Sequence, residues 1–162
     1  MKGVCIIPAR GGSKRVPRKN IKSFMNSSLL EITIQEVIES EQFDKIIVTS
    51  DDKEIIDVSS KYSQITTHYR SKALSSDAAT VFEVFHNILL TLDEKYDFIA
   101  GVLVTTPFKK KRHYIEAVDQ FKMNKGKKNI ISVVKFDYPP QFGFQISEGK
   151  LHMQYPEMFA KS

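Results

Sequence analysis

The sequence predicts an α/β protein built on a doubly wound, mostly parallel sheet, and three observations predict it. Short apolar runs rich in isoleucine and valine alternate with segments whose apolar residues recur at helical spacing. Those runs are almost continuously apolar, the pattern of strands covered on both faces. Several of them end at proline, glycine, serine or aspartate, so loops begin where the strands stop.

The first run, Gly3 to Pro8, is bounded by Pro8 and the pair Gly11-Gly12 and reads as a buried strand. Leu29, Leu30, Ile32, Ile34, Val37 and Ile38 then recur at helical spacing, interleaved with Glu31, Gln35, Glu36 and Glu39. Lys45 to Thr49 gives a second buried strand, and Ser50-Asp51-Asp52 supplies cap residues for a helix through Ile55, Ile56 and Val58. Thr66 to Tyr69 is a shorter strand leading to Arg70. Ser75-Ser76-Asp77 predicts the cap of a helix from about Ala78 to Leu92. Phe98 to Val104 is the third long strand, ending at Thr105-Thr106-Pro107. A helix over His113 to Met123, a turn over Asn124 to Lys128, a strand over Ile130 to Lys135 and a hairpin over Phe142 to Gln154, turning at Glu148-Gly149, complete the pattern. Right-handed crossovers place every loop that follows a parallel strand at one edge of the sheet, where open α/β sheets bind ligands.

Composition narrows the function classes. The 162 residues suit one domain, 1–162, and 41% hydrophobic with 27% charged residues is ordinary for a folded protein. The apolar runs fall far short of the roughly 20 residues that span a bilayer. The N-terminal run breaks at Pro8 and Arg10, unlike a signal peptide, so a cytoplasmic protein without membrane contact is expected. Cys5, the one cysteine, reads as a small buried hydrophobe in a reducing compartment. The net charge of +5 fits either a nucleic-acid face or a pocket for anionic phosphates. Position decides for the pocket, because Arg10, Lys14, Arg15, Arg18 and Lys19 crowd beside Gly11-Gly12. The second basic run, Lys109 to Arg112, reads as a solvated loop or helix start. His68, His86, His113 and His152 are scattered and form no pair at zinc-ligand spacing.

The segment from Pro8 to Asn20 carries the chemistry. Adjacent glycines let the backbone approach a ligand closely, and backbone N–H groups suit phosphate oxygens. Arg10, Arg15 and Lys19 supply charge for a polyphosphate, arginine through paired hydrogen bonds and lysine as a point charge. Neither G-x-x-x-x-G-K-[ST] nor G-x-G-x-x-G occurs, which sets aside the P-loop and the dinucleotide fingerprint. The pair Asp51-Asp52 reads first as a helix cap and second as a ligand of Mg²⁺ or a ribose.

Ile7 to Ile21 resembles the signature of the sugar-acid (acylneuraminate) cytidylyltransferases, I-P-A-R-G-G-S-K-R-[IV]-P-R-K-N-I, almost without departure. The 3-deoxy-manno-octulosonate cytidylyltransferases share I-P-A-R and then diverge. Phe43 to Asp52 is similar to the family's second strand, and Arg70, Leu74, Asp77 and Thr80 to its R-p-x-x-L-[AS]-x-D-x-[AS]-[ST] segment. Ser132 to Pro140, Gly149-Lys150-Leu151 and Tyr155-Pro156-Glu157 are similar to the pseudaminic acid branch.

The resemblance implies a Rossmann-like sheet of the nucleotide-diphospho-sugar transferase type with a short C-terminal hairpin. It implies transfer of CMP from CTP to a nine-carbon, sialic-acid-like sugar acid, with release of pyrophosphate and with Mg²⁺, in cell-surface glycan biosynthesis. By position, Arg10, Ser13, Arg15 and Lys19 hold the triphosphate, Gly11 and Gly12 lend N–H groups, and Arg10 and Lys19 act in catalysis. Asn20, Arg70, Asp77 and Thr80 contact the nucleoside. Relatives are expected to work as homodimers. They continue past Glu157 through a segment supplying the main metal-binding Asp, so that ligand is expected outside this chain, and a CTP-binding module without turnover is the second reading. Leu103 to Phe108 departs from the family's Q-P-T-S-P-L-R or Y-P-T-A-P-F segment, since Leu103 offers no side-chain hydrogen bond.

Overall fold

The computed structural model describes residues 1–13, 15–76 and 78–158, with the side chain of residue 158 left aside. Eight strands and four α-helices follow in order: β1 (Gly3–Pro8), β2 (Ser23–Phe24), β3 (Ser27–Ser28), α1 (Leu29–Ser40), β4 (Lys45–Ser50), α2 (Lys53–Ser59), β5 (Ile65–Tyr69), α3 (Val81–Leu89), β6 (Phe98–Gly101), α4 (Lys111–Met123), β7 (Phe144–Ser147) and β8 (Lys150–Met153). The chain divides into two units, Met1–Ile130 and Ile131–Ser162.

The first unit holds a parallel sheet in the order β5-β4-β1-β6. Chain order runs outward from β1 through β4 to β5, then returns across the sheet to β6. The strand order therefore reverses between β1 and β6, which makes that position the switch point of the sheet.

Alternation along β1 builds two cores. Cys5, Ile7 and Ala9 face Leu30, Ile34 and Val37 of α1, Ile55 of α2 and Tyr114 of α4. Val4 and Ile6, with Ile47 of β4, face Val84 and Ile88 of α3. Both faces of the sheet are thus covered, as the continuous apolar runs require. Burial of Cys5 pushes its thiol far above the ordinary cysteine range, which keeps it protonated and inert.

Helix starts follow the side chains that can satisfy free N–H groups. Ser28 caps α1 by accepting the Glu31 N–H at 3.2 Å, while its hydroxyl donates to Glu31 Oε2 at 2.7 Å. Asp52 caps α2 through the N–H groups of Glu54 and Ile55. The helix expected from Ala78 begins at Val81 instead and ends at Leu89. Its cap is Thr80, which forms a capping box with Glu83, rather than Ser75-Ser76-Asp77. Ser75 closes a short 3-10 turn over Ala73–Ser75, and Asp77 lies outside the described residues. α4 begins at Lys111, two positions before the expected His113.

The basic run after Pro107 opens α4, as a helix start should, and its exposed lysines pair with α1. Lys110 Nζ meets Glu36 Oε1 at 2.8 Å, the Lys111 N–H donates to Glu36 Oε2 at 2.7 Å, and Lys111 Nζ stands 3.4 Å from Glu39. Strand pairing of β6 stops at Gly101 rather than Val104, though the Val102 N–H still donates to Ile6 and Val102 and Val104 are buried. A hairpin absent from the sequence reading, β2–β3, turns at Met25-Asn26, both with positive φ.

In the second unit β7 and β8 pair antiparallel around Glu148 and Gly149, at φ 52° and 74°. Positive φ at both central residues matches the tight turn that suits the twist of a hairpin. The expected strand over Ile130 to Lys135 is absent, and Val133 and Val134 are 90% and 83% exposed. Apolar composition favours a strand only where a neighbouring backbone takes up its N–H and C=O groups, and no described strand pairs with this run. No helix among the described residues is long and apolar enough to cross a membrane.

Ile47 is almost wholly buried at the centre of β4, so Ile47→Ala should cost about 2–5 kcal/mol of stability. Ser28→Ala, which removes a cap and no core volume, should cost about 1 kcal/mol. Chemical denaturation of the two variants beside the parent checks the ranking.

Candidate nucleotide site

β1 delivers the glycine loop to the switch point, and neighbouring elements hold it there. The Ala9 N–H still pairs with the Thr49 carbonyl at 3.0 Å, carrying the β1–β4 ladder one residue past the strand. Asn20 is only 7% exposed; its side-chain amide donates to the Arg10 carbonyl at 2.9 Å, and its own carbonyl accepts the Leu30 N–H. Asn20 thereby ties both ends of the loop to the start of α1.

Two aspartates after β4 grip the other side of the loop. Asp51 Oδ1 accepts the Gly11 N–H at 3.1 Å. Asp52, besides capping α2, accepts from Arg18 at 3.2 Å, and Arg18 also meets Glu54 at 2.5 Å. Gly11 packs so closely here that a Cβ would lie 2.4 Å from Asp52 Oδ2. A Cβ at Gly12 would meet nothing within 4 Å among the described residues. The two glycines are therefore present for different reasons, one for close approach and one beside open space.

This scaffold brings most of the expected residues to one cavity of about 870 Å³ at the switch point. Arg10, Ser13, Arg15, Lys19 and Asn20 line it from the loop after β1. Arg70 enters from the end of β5, Thr80 from the α3 cap, and Leu103 and Thr105 from the segment after β6. Gly11 and Gly12 belong to the loop without lining the cavity, and the Gly11 N–H is already taken by Asp51. Leu74, Val81, Val84, Val104 and Leu103 add an apolar part to the cavity lining.

Arg70 is the most constrained of these side chains. It is 5% exposed, its backbone N–H donates to Ser50 at 2.8 Å, and its guanidinium lies 3.9 Å from Asp51 Oδ1. Its buried Nε has no hydrogen-bond partner among the described residues. Burial pushes the guanidinium below its ordinary pKa, Asp51 pulls it back up, and nearby Arg10 adds to the lowering. A buried cation on the wall of a cavity lined by Arg10, Arg15 and Lys19 makes that cavity cationic, a setting suited to anionic groups. His68, on the same strand, is pushed down by burial and then by Arg70, and its ring bonds Thr49 Oγ1 at 3.0 Å.

The described residues contain no group of three or more His, Cys, Asp and Glu side chains placed to hold a metal ion. Asp51 and Asp52 are committed to Gly11, Arg70, Arg18 and the α2 cap. The described residues therefore compose no metal centre. A smaller hollow of about 400 Å³ lies among Phe24, Met25, Ile32, Tyr62 and Phe108, and its lysine, Lys110, is matched by Glu36.

Sequence reasoning missed two features of the site. Asp51 serves the glycine loop and Arg70, and not the helix cap; a contact between residues forty positions apart leaves no local pattern. The apolar lining contributed by α3 follows from where Thr80 starts that helix.

A parallel sheet with a cationic cavity at its switch point defines a nucleotide-binding α/β protein. The comparisons make the class specific. A family model described as cytidylyltransferase matches residues 4–139, and the chain belongs to that family. Pseudaminic acid cytidylyltransferase of Campylobacter jejuni is 37% identical over 165 residues, covering 100% of this chain and 71% of that protein. CMP-N,N'-diacetyllegionaminic acid synthase of Legionella pneumophila is 31% identical over 163 residues, covering 98% of this chain and 68% of that protein. The structure of CMP:2-keto-3-deoxy-manno-octonic acid synthetase complexed with CTP superposes with a TM-score of 0.64 at 14% identity, over 77% of this chain and 49% of that one. This last likeness bears on the fold alone.

The two glycines give a paired test. Gly11→Ala should cost about 1–3 kcal/mol, because the added methyl meets the Asp52 carboxylate, whereas Gly12→Ala should stay within about 0.5 kcal/mol of the parent. Thermal unfolding of both variants measures the difference.

Proposed function

We propose that this chain transfers CMP from CTP to a nine-carbon, sialic-acid-like sugar acid and releases pyrophosphate. The observation that carries the proposal is the cavity at the switch point, with Arg10, Arg15 and Lys19 on one side and the buried, under-partnered Arg70 on another. Similarity across nearly the whole of this chain to enzymes named for pseudaminic and legionaminic acids supports the sugar class.

In this reading Arg10, Ser13, Arg15 and Lys19 take the triphosphate. The anomeric hydroxyl of the sugar attacks the α-phosphorus, the bond to the β-phosphate oxygen breaks, and the hydroxyl proton passes to solvent as pyrophosphate leaves. Arg10 and Lys19 hold the reacting phosphates in line and stabilise the charge that moves onto the departing oxygens. Arg70, Thr80 and the buried Asn20 form the nucleoside side, with Leu103 offering apolar contact where a polar group would bond; Asp77 is assigned to it by resemblance to the family alone and lies outside the described residues. Mg²⁺ bound with the nucleotide would supply neutralisation of phosphate charge, and no carboxylate cluster among the described residues is placed to hold it. A cytoplasmic, homodimeric enzyme supplying activated sugars for cell-surface glycans completes the reading.

Titration with CTP and Mg²⁺, against ATP, GTP and UTP, followed by pyrophosphate release with each sugar acid, tests it. CTP-selective binding with release supports transfer, binding without release reduces the chain to a CTP-binding module, and no preference for CTP overturns the site. Arg10→Ala and Lys19→Ala should each weaken CTP binding by about 10-fold or more, the scale of a lost charge-assisted hydrogen bond, with little change in thermal stability.

A further inference from the structure

We propose that Asp51 is a positioning residue of the nucleotide site, holding the glycine loop and the Arg70 guanidinium in a fixed relation; the proposal rests on the nucleotide reading above. β4 runs between β1 and β5, so the residue leaving it stands between the loop after β1 and the residue after β5. Asp51 occupies that place. Its Oδ1 accepts the Gly11 N–H at 3.1 Å and stands 3.9 Å from a terminal nitrogen of Arg70.

The neighbouring carboxylate has a different duty. Asp52 caps α2 and pairs with Arg18, so the helix start and the outer side of the loop do not depend on Asp51. Arg70 does depend on it. A buried guanidinium with Arg10 nearby needs an opposite charge, and Asp51 is the group that draws it back toward its ionised form. At 3.9 Å the pair is a charge contact rather than a short hydrogen bond, so Asp51 compensates Arg70 without consuming its donors. Arg70 lines the cavity wall, while its buried Nε has no partner among the described residues.

Two physical roles for Asp51 predict opposite signs. A carboxylate beside a cationic cavity repels a triphosphate, so removing its charge should tighten CTP binding if field strength alone matters. If Asp51 positions Arg70 and the loop, removing its charge should weaken binding instead. Asp51→Asn keeps an oxygen for the Gly11 N–H and loses only the charge facing Arg70, whereas Asp51→Ala loses both contacts.

The experiment is calorimetric titration of the full chain with CTP and Mg²⁺ at fixed ionic strength, for the parent, Asp51→Asn, Asp51→Ala, Arg70→Met and the double variant Asp51→Asn/Arg70→Met, with thermal unfolding recorded for each. Expected is about 10-fold weaker binding for Asp51→Asn, and a double variant no weaker than Arg70→Met alone, the non-additivity of coupled groups. Unchanged or tighter binding by Asp51→Asn, or losses that simply add, overturns the proposal. Should Asp51→Ala fail to fold, Asp51→Asn carries the test by itself. A parent protein that binds CTP no better than ATP removes the nucleotide reading and this proposal together; a CTP-selective parent with an unaffected Asp51→Asn removes this proposal alone.

Discussion

β1 is sealed on every side: β4 and β6 pair with its edges, and the two cores close over its faces. Burying each of Val4, Ile6 and Ile7 contributes about 1.5–3 kcal/mol, enough together to fix where the strand ends. The loop after Pro8 inherits that fixed point. Parallel pairing turns the ends of β1, β4 and β5 to the same edge, so Arg10, Asp51 and Arg70 meet although they are far apart in sequence.

Charge in this region is sorted rather than pooled. Arg18 is spent on Asp52 and Glu54 outside the cavity lining, and Lys110 and Lys111 on Glu36 and Glu39 against α1. Arg10, Arg15, Lys19 and Arg70 line the cavity, Arg70 with Asp51 beside it. A positive total of five units says nothing about this division. Placement decides it, and placement follows from which helix terminus or acidic face each cation finds nearby.

The fold was legible where the signal is local. β1, β4, α1 and the β7–β8 turn follow from apolar continuity, helical spacing and a glycine at the tip, all local signals. The readings that failed turned on choices the local chain leaves open. Ser75, Ser76 and Thr80 can each cap a helix; Thr80 does so because Glu83 completes its capping box. Ile130 to Lys135 has the composition of a buried strand, yet composition names no partner for its backbone. The site divides in the same way. Arg10, Ser13, Arg15 and Lys19 stand in one continuous loop and were legible together, whereas the part played by Asp51 exists only through residues on two other segments.

Cys5 lies at the middle of that sealed strand, wholly buried with its thiol held protonated. A reagent that attacks thiolates can reach it only after β1 has parted from its neighbours. The protein thus carries an internal clock: the rate at which Cys5 becomes labelled reports how often the nucleus of the first unit opens.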